Sequence, residues 1–294
     1  MSPHFILYCL ITLMVMFWSG NYIAAKIALR EIPSVLLMCL RTLFAAILIV
    51  PVYWRQAKKN PPLRDWREAG LLAALGVLGI TMNQFFWTTG VARTTVVHSS
   101  MIIGTTPLWV LAIAGMMRLE RVTWPKLAGM AIALTGVGLL QFFRGGASAK
   151  GATLEGDLLV LLGGITLAAM TAAGKRYRPR SGGIALNAFA YVGGTIVLAP
   201  ALWWFSRDFD FSRVSPAAWT AVLYMALFSS IGGYVIFYYA LQHIPASRIA
   251  AFQYLQPVFA SVMAMVLLGE SLTAPAVAAG GMIFAGVYVT ERFG

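Results

Sequence analysis

Ten stretches of this chain are each long and apolar enough to cross a lipid bilayer, and no other feature constrains the fold as strongly. A span needs roughly 20 apolar residues, because the hydrocarbon layer is about 30 Å thick. The stretches are 5–29, 34–54, 68–91, 95–118, 125–143, 157–177, 184–205, 217–241, 247–268 and 275–292. Inside hydrocarbon every backbone N–H and C=O must be satisfied internally, so runs of this length read as helices. The chain is 60% hydrophobic and 11% charged, where a soluble domain carries about 25% charged residues. The connections, longest near 55–67, 144–156 and 206–216, are loops too short for a soluble domain. No Lys or Arg precedes the first run, which exceeds the ~7–15 residues of a signal core. It is expected to remain as the first transmembrane helix.

Charge sets the expected threading. Ten spans put both termini on one side. With that side inside, the inner loops and ends carry fourteen Lys and Arg residues, among them Arg55, Lys58, Arg118, Lys175 and Arg178, against six outside. The bias of Lys and Arg toward cytoplasmic loops places both termini in the cytoplasm of a cell inner (plasma) membrane protein. The net charge of +12 then reports topology and contact with anionic lipid rather than nucleic-acid binding. Trp54, Trp66, Trp124, Trp203, Trp204 and Trp219 fall at span ends, as an interfacial belt should. Trp18 and Trp109 fall near mid-span. Cys9 and Cys39 lie within apolar runs and read as small buried hydrophobes.

The chain also repeats itself. TPLWVLAIAGMMRLE (106–120) and QPVFASVMAMVLLGE (256–270) share a proline and a glutamate 150 residues apart. At the same offset Gly136 matches Gly286 and Lys26 matches Arg176. Five spans per half is an odd number, so the second half must enter the membrane in the opposite sense. The expected fold is an all-α integral membrane protein, with ten transmembrane helices as two inverted five-helix repeats, 1–148 and 149–294, around a central cavity. Inverted repeats typify secondary transporters, because two alike halves of opposite orientation can open a shared site first to one face and then to the other.

FWSGNYIAAKIALREIPSVLLMCLRTLFAA (17–46) resembles the opening of the EamA-type permeases of the drug/metabolite transporter superfamily. The likeness includes the aromatic-Trp-Ser-x-Asn start, Lys26, the Pro33 turn and Arg41. YYALQHIPASRIAAFQYLQPVFASVMAMVLLGES (238–271) is similar to that family's second-half signature. The resemblance covers essentially the whole chain and implies ten helices, a 5 + 5 inverted repeat and export of metabolites. Within the family the chain looks most like the aromatic amino-acid exporters. The first half departs from the pattern, with Arg118-Leu119-Glu120 in place of Gly-Glu and Thr95 where Pro245 stands in the second half. These departures read as drift in a helix cap.

All ten acidic residues fall in loops or at span ends. Proton-driven carriers usually hold an intramembrane carboxylate as relay. Its absence argues for uniport, with His98 the inward histidine that could substitute, although a hydrogen-bonded interfacial histidine is the plainer reading. Lys26 and Arg41 are the cations within spans. Each costs at least ~2.5 kcal/mol in lipid unless it faces protein or water. Lys26 divides evenly between holding a substrate carboxylate and snorkelling to the interface; Arg41 is expected to snorkel or to meet helix-end carbonyls.

Polar and aromatic residues nearer the midplane are the candidate cavity lining: Trp18, Asn21 and Tyr22 in the first span, Met82, Asn83, Phe86 and Trp87 in the third, and Met101, Thr105 and Trp109 in the fourth. Tyr234 and Tyr238 follow in the eighth, and Gln253 and Gln256 in the ninth. Such a mixture suits a flat, apolar, zwitterionic ligand, since rings stack on rings and thioethers adapt. Interhelical packing accounts equally well for any one of them. Pro107 and Pro257, at matched places inside helices four and nine, would bend those helices as paired gates or as mere kinks.

No phosphate loop, nucleophile elbow or zinc-protease motif is present, and two thiols cannot complete a zinc site, so neither enzyme, metal nor cofactor is expected. The reading is a monomeric carrier in the lipid bilayer that exports amino acids, aromatic and other neutral ones, by alternating access. Export of drugs or other metabolites, with proton coupling, is the alternative.

Overall fold

A computed structural model of the protein describes residues 3–57, 66–91, 93–94, 102–143, 153–177, 182–259, 262–263 and 274–293. Among the described residues all regular structure is helical. The first half runs α1 (Pro3–Ala28), α2 (Ser34–Ala57), α3 (Trp66–Gly76), a π-helical stretch Val77–Thr81, α4 (Met82–Val91), α5 (Thr106–Met116) and α6 (Trp124–Phe143). The second runs α7 (Leu154–Tyr177), α8 (Gly182–Ser206), α9 (Pro216–Tyr224), a longer π-helical stretch Met225–Gly233, α10 (Tyr234–His243), α11 (Ala246–Phe252), a 3-10 turn Gln253–Leu255 and α12 (Ala274–Phe293). Among the described residues six helices are long and apolar enough to cross a membrane: Phe5–Ala25, Ser34–Ala57, Trp66–Gly90, Leu154–Arg176, Gly182–Ser206 and Pro216–His243. Thr106–Met116 and Trp124–Leu140 are shorter apolar helices. The repeat boundary expected at 148/149 lies outside the described residues.

The 150-residue offset read from a few residues reappears in the backbone. α6 and α12 are each 20 residues long, starting at Trp124 and Ala274. α3 and α9 start at Trp66 and Pro216, and each then loosens into a π segment at an equivalent place. Equivalent deformations in the third helix of both halves are a property of the repeat, and π-helical interruptions cluster at functional sites.

The two proline sites also correspond, but they are built differently from a kink within a continuous helix. The chain tightens first, with Thr105 N–H bonding Ile102 C=O at 2.9 Å, and Pro107 stands in the first turn of a new helix, α5. In the second half the 3-10 turn Gln253–Leu255, closed by Gln256 N–H on Gln253 C=O, comes just before Pro257. A proline in a first turn removes no bond, because N–H groups there have no intrahelical partner anyway. The prolines therefore start half-helices rather than bend whole ones. Arg118 takes the glycine role at the end of α5. Its φ is 56°, and Leu119 N–H reaches back to Ala114 C=O in a Schellman cap, a position that ordinarily favours glycine.

The outside of the bundle is apolar, as lipid requires. Ile47, Leu78, Ile196, Val197 and Phe284 point outward, and Trp54, Trp66, Trp124, Trp203 and Trp204 stand exposed at helix ends. Trp219 departs from the expected belt. It turns inward onto Phe44 and Phe211, with ring centroids 6.1 and 6.2 Å away. Cys39 is buried, but Cys9 faces outward on α1. Inside, the last helices of the two halves, α6 and α12, lie against each other through small residues. A Cβ added at Gly286 would stand 2.4 Å from Ala133 N and 2.5 Å from Gly129 O. Such backbone approach is what small residues make possible where lipid gives no hydrophobic drive to helix association. Gly286→Leu is therefore expected to force α6 and α12 apart at about 1–3 kcal/mol and to lower the melting temperature in detergent. An unchanged melting temperature would show that the contact does not hold the halves together.

Candidate functional site

A cavity of about 100 Å³ lies between the two halves. It is large enough for several waters, at about 10–15 Å³ each on the same measure. From the first half, α1 contributes Trp18, Asn21 and Tyr22, α2 contributes Arg41, and α4 contributes Asn83, Gln84 and Trp87, with Ile103 beside them. From the second half come Leu167 on α7, Ser229 on the π segment, Tyr234 on α10, and Gln253 and Gln256 around the 3-10 turn.

The interrupted helices shape this lining. Trp18 Nε1 donates to Ser229 C=O at 3.1 Å, and Ser19 Oγ donates to Gln256 C=O at 3.1 Å. Both carbonyls belong to, or directly follow, non-α backbone in the second half. Trp18 lies so close to the π segment that only glycine fits opposite; a Cβ at Gly233 would stand 2.5 Å from its indole nitrogen. The rings pair edge to face, Trp18 with Tyr234 at 5.5 Å and Tyr22 with Trp87 at 5.7 Å between centroids. Asn83 Nδ2 donates to Gly163 C=O at 2.7 Å. Asn21 Oδ1 and Gln253 Nε2 are buried with no hydrogen-bond partner among the described residues.

Of the expected lining residues, Trp18, Asn21, Tyr22, Asn83, Tyr234, Gln253 and Gln256 meet here, together with Trp87. The sequence offered two faces of α4 at i, i+4 spacing, Met82 with Phe86 and Asn83 with Trp87. The structure turns the second pair inward, and Phe86 packs on Phe85 instead. Thr105 and Trp109 satisfy each other outside the cavity. Trp109 Nε1 donates to Thr105 Oγ1, which donates to Ile102 C=O. Tyr238 is buried just beyond the lining, its hydroxyl directed at Met170 Sδ, 3.6 Å away. His98, Met101 and the side chain of Lys26 lie outside the described residues.

Arg41 overturns its expectation. It does not snorkel; only 7% of its surface is exposed, and it points into the bundle. Its Nε donates to Ser230 Oγ at 2.7 Å and its Nη2 to Ser229 Oγ at 3.1 Å. Gln84, Ile103, Leu167 and Ser229 were missed as lining. The adjacent serines of the eighth span carried a usable signal, since polar side chains in lipid must find partners inside the bundle.

Polar ties join the two halves at the end that bears the termini. Glu120, after α5, accepts from the backbone N–H of Ser247 at 3.2 Å and from its hydroxyl. Lys126 pairs with the same carboxylate at 3.3 Å, both side chains only 5% exposed. Tyr8 donates to Glu291, which Arg248 also meets at 3.5 Å. At the opposite end Glu31 accepts from Ser215 N–H at 2.6 Å and its hydroxyl at 2.8 Å. These two bonds, the backbone one first, hold the Glu31 carboxyl below its usual pKa. A lowered carboxylate contributes above its ordinary pKa, and that contribution fades as pH falls through the lowered value.

A polar chamber at the meeting of two repeat-related halves, inside a sheath of lipid-compatible helices, is the architecture of a multi-pass membrane transporter. The chain belongs to the EamA-like transporter family, whose pattern matches twice, over residues 5–142 and 154–292. It is 30% identical over 290 residues to an uncharacterized transporter of Archaeoglobus fulgidus, covering 96% of each chain. It is 26% identical to a probable terminal-alkyne amino-acid exporter of Streptantibioticus cattleyicolor, over 96% of this chain and 92% of that one. With the uncharacterized inner membrane transporter YedA of Escherichia coli it shares 24% over 93% of this chain and 87% of the other. A crystal structure superposes with a TM-score of 0.81 at 16% identity, covering 98% and 99% of the two chains, so the fold is shared.

The buried Glu120–Lys126 pair makes a further prediction. Glu120→Ala would leave Lys126 buried without its counter-charge, a loss of about 3–5 kcal/mol, whereas Glu120→Gln with Lys126→Met should recover most of it. Thermal melts of both variants check this. Equal losses in the single and double variants would show that the charge pair is not what Glu120 supplies.

Proposed function

We propose that this protein is a secondary carrier that exports amino acids, aromatic and other neutral ones, and related metabolites by alternating access. The observation that carries this reading is the make-up of the cavity. Four aromatic rings, five carboxamides and one guanidinium line it, and Leu167 and Ile103 supply apolar surface. Rings and aliphatic surface suit a flat apolar side chain. Asn21 Oδ1 is a free acceptor for an ammonium group, and Gln253 Nε2 a free donor for a carboxylate. The relative named a probable terminal-alkyne amino-acid exporter supports the same substrate class. The working unit is a monomer in the inner (plasma) membrane with both termini cytoplasmic. The ties of Glu120 to Ser247 and of Tyr8 to Glu291 then close the cytoplasmic end and must break for substrate to enter. Among the described residues no carboxylate lines the cavity, so no acidic proton relay stands beside the substrate, which supports a uniporter working down the substrate gradient.

Purified protein in liposomes is expected to take up radiolabelled phenylalanine saturably, with competition by tryptophan and no response to a pH gradient. Accumulation driven by the gradient would leave a carrier but remove uniport. Saturable uptake of drugs or other metabolites, with none of any amino acid, would overturn the substrate class.

A further inference from the structure

We infer that Arg41 is the anchor for a carboxylate on the transported molecule, holding it end-on in the cavity through a guanidinium whose other edge is fixed by two serines. The inference rests on the carrier reading above and names the group that the cavity grips.

A guanidinium presents five N–H donors on two usable edges. The side edge, Nε with one hydrogen of Nη2, is taken by Ser230 Oγ and Ser229 Oγ. The end-on pair, Nη1 with the second hydrogen of Nη2, has no acceptor among the described residues. Both occupied partners are neutral hydroxyls, and no carboxylate among the described residues pairs with Arg41. A buried cation normally pairs with an anion, since desolvation of a lone charge is expensive. This one is positioned by its neighbours, left uncompensated, and placed in the wall of the cavity.

The surroundings favour an anion from outside the protein. Tyr191, 150 residues after Arg41 and so its repeat equivalent on α8, lies beside Ser230 and Gln84. The two halves thus offer a fixed cation and a phenol at matched places, and only one is charged at neutral pH. Consecutive residues such as Ser229 and Ser230 do not share a face on an α-helix. A guanidinium edge can reach both. The unused end-on fork matches the two oxygens of a carboxylate in the bidentate arrangement that gives arginine its selectivity for planar anions. Lysine cannot reproduce it.

The test compares two fragments of phenylalanine against radiolabelled phenylalanine in wild-type proteoliposomes. 3-Phenylpropanoate keeps the carboxylate and lacks the amine; phenethylamine is the reverse. 3-Phenylpropanoate is expected to compete and phenethylamine not to. In Arg41→Lys the apparent KM for phenylalanine should rise at least about tenfold, and 3-phenylpropanoate should stop competing. Ser229 and Ser230 variants with Arg41 intact should show a smaller rise. A folded Arg41→Lys protein with unchanged KM and competition pattern would make Arg41 a strut between α2 and the π segment and overturn the proposal. Equal competition by both fragments on the wild type would overturn it too, and that result needs no variant to fold. Should phenylalanine not be carried, titration of the purified protein's tryptophan fluorescence with the two fragments decides. Selective binding of 3-phenylpropanoate keeps the anchor while the amino-acid reading falls, and binding of neither or both overturns the anchor.

Discussion

A backbone carbonyl released from helical bonding inside an apolar bundle must find another donor, and this architecture depends on meeting that demand. No water stands ready in hydrocarbon, and an unsatisfied group costs several kcal/mol there. Yet the chain interrupts its α-helices in four described places: two π segments, one turn before Pro107 and one 3-10 turn before Pro257. Side chains from other helices answer the carbonyls. Trp18 serves Ser229 and Ser19 serves Gln256, while Asn187 adds a second donor at 3.3 Å to the Ile231 carbonyl that Tyr234 N–H already meets. Each such bond carries a polar group inward, so the breaks and the polar cavity are one feature.

The repeat explains why the breaks come in pairs, and its imperfections explain what the cavity can select. α3 and α9 loosen at equivalent points, and the fourth helix of each half restarts at a proline. Of these segments, the second-half π stretch and 3-10 turn bring Ser229, Gln253 and Gln256 to the cavity, and Ile103 comes from beside the turn before Pro107. Perfect symmetry would make the two sides of that region chemically alike. Instead Arg41 faces the pair Ser229–Ser230 while its equivalent is Tyr191, and Gln84 has Tyr234 as its counterpart. The shared frame supplies the shape, and the divergent side chains supply the polarity.

Much of the lining was legible because lipid punishes polar residues. An amide or indole in mid-span must face protein, and that rule alone brought forward Trp18, Asn21, Asn83, Gln253 and Gln256. It failed where rotation mattered. On α4 both Met82–Phe86 and Asn83–Trp87 fit one face, and hydropathy could not choose between them. It failed for Arg41 because the snorkelling argument counts turns to the membrane surface and ignores the neighbour. Ser229 and Ser230 were the missing partners, 188 and 189 positions away in sequence.

By itself the sequence determined the all-helical membrane class and the doubled plan. Both follow from local quantities, namely the length of apolar runs, the parity of spans and a constant offset. Tertiary structure alone decided which polar side chains share a chamber. A helix in lipid can be apolar on nearly every side, so its sequence leaves its rotation about its own axis unspecified. Packing against distant helices, through contacts such as Gly286 on Ala133 and Trp18 on Gly233, fixes that angle.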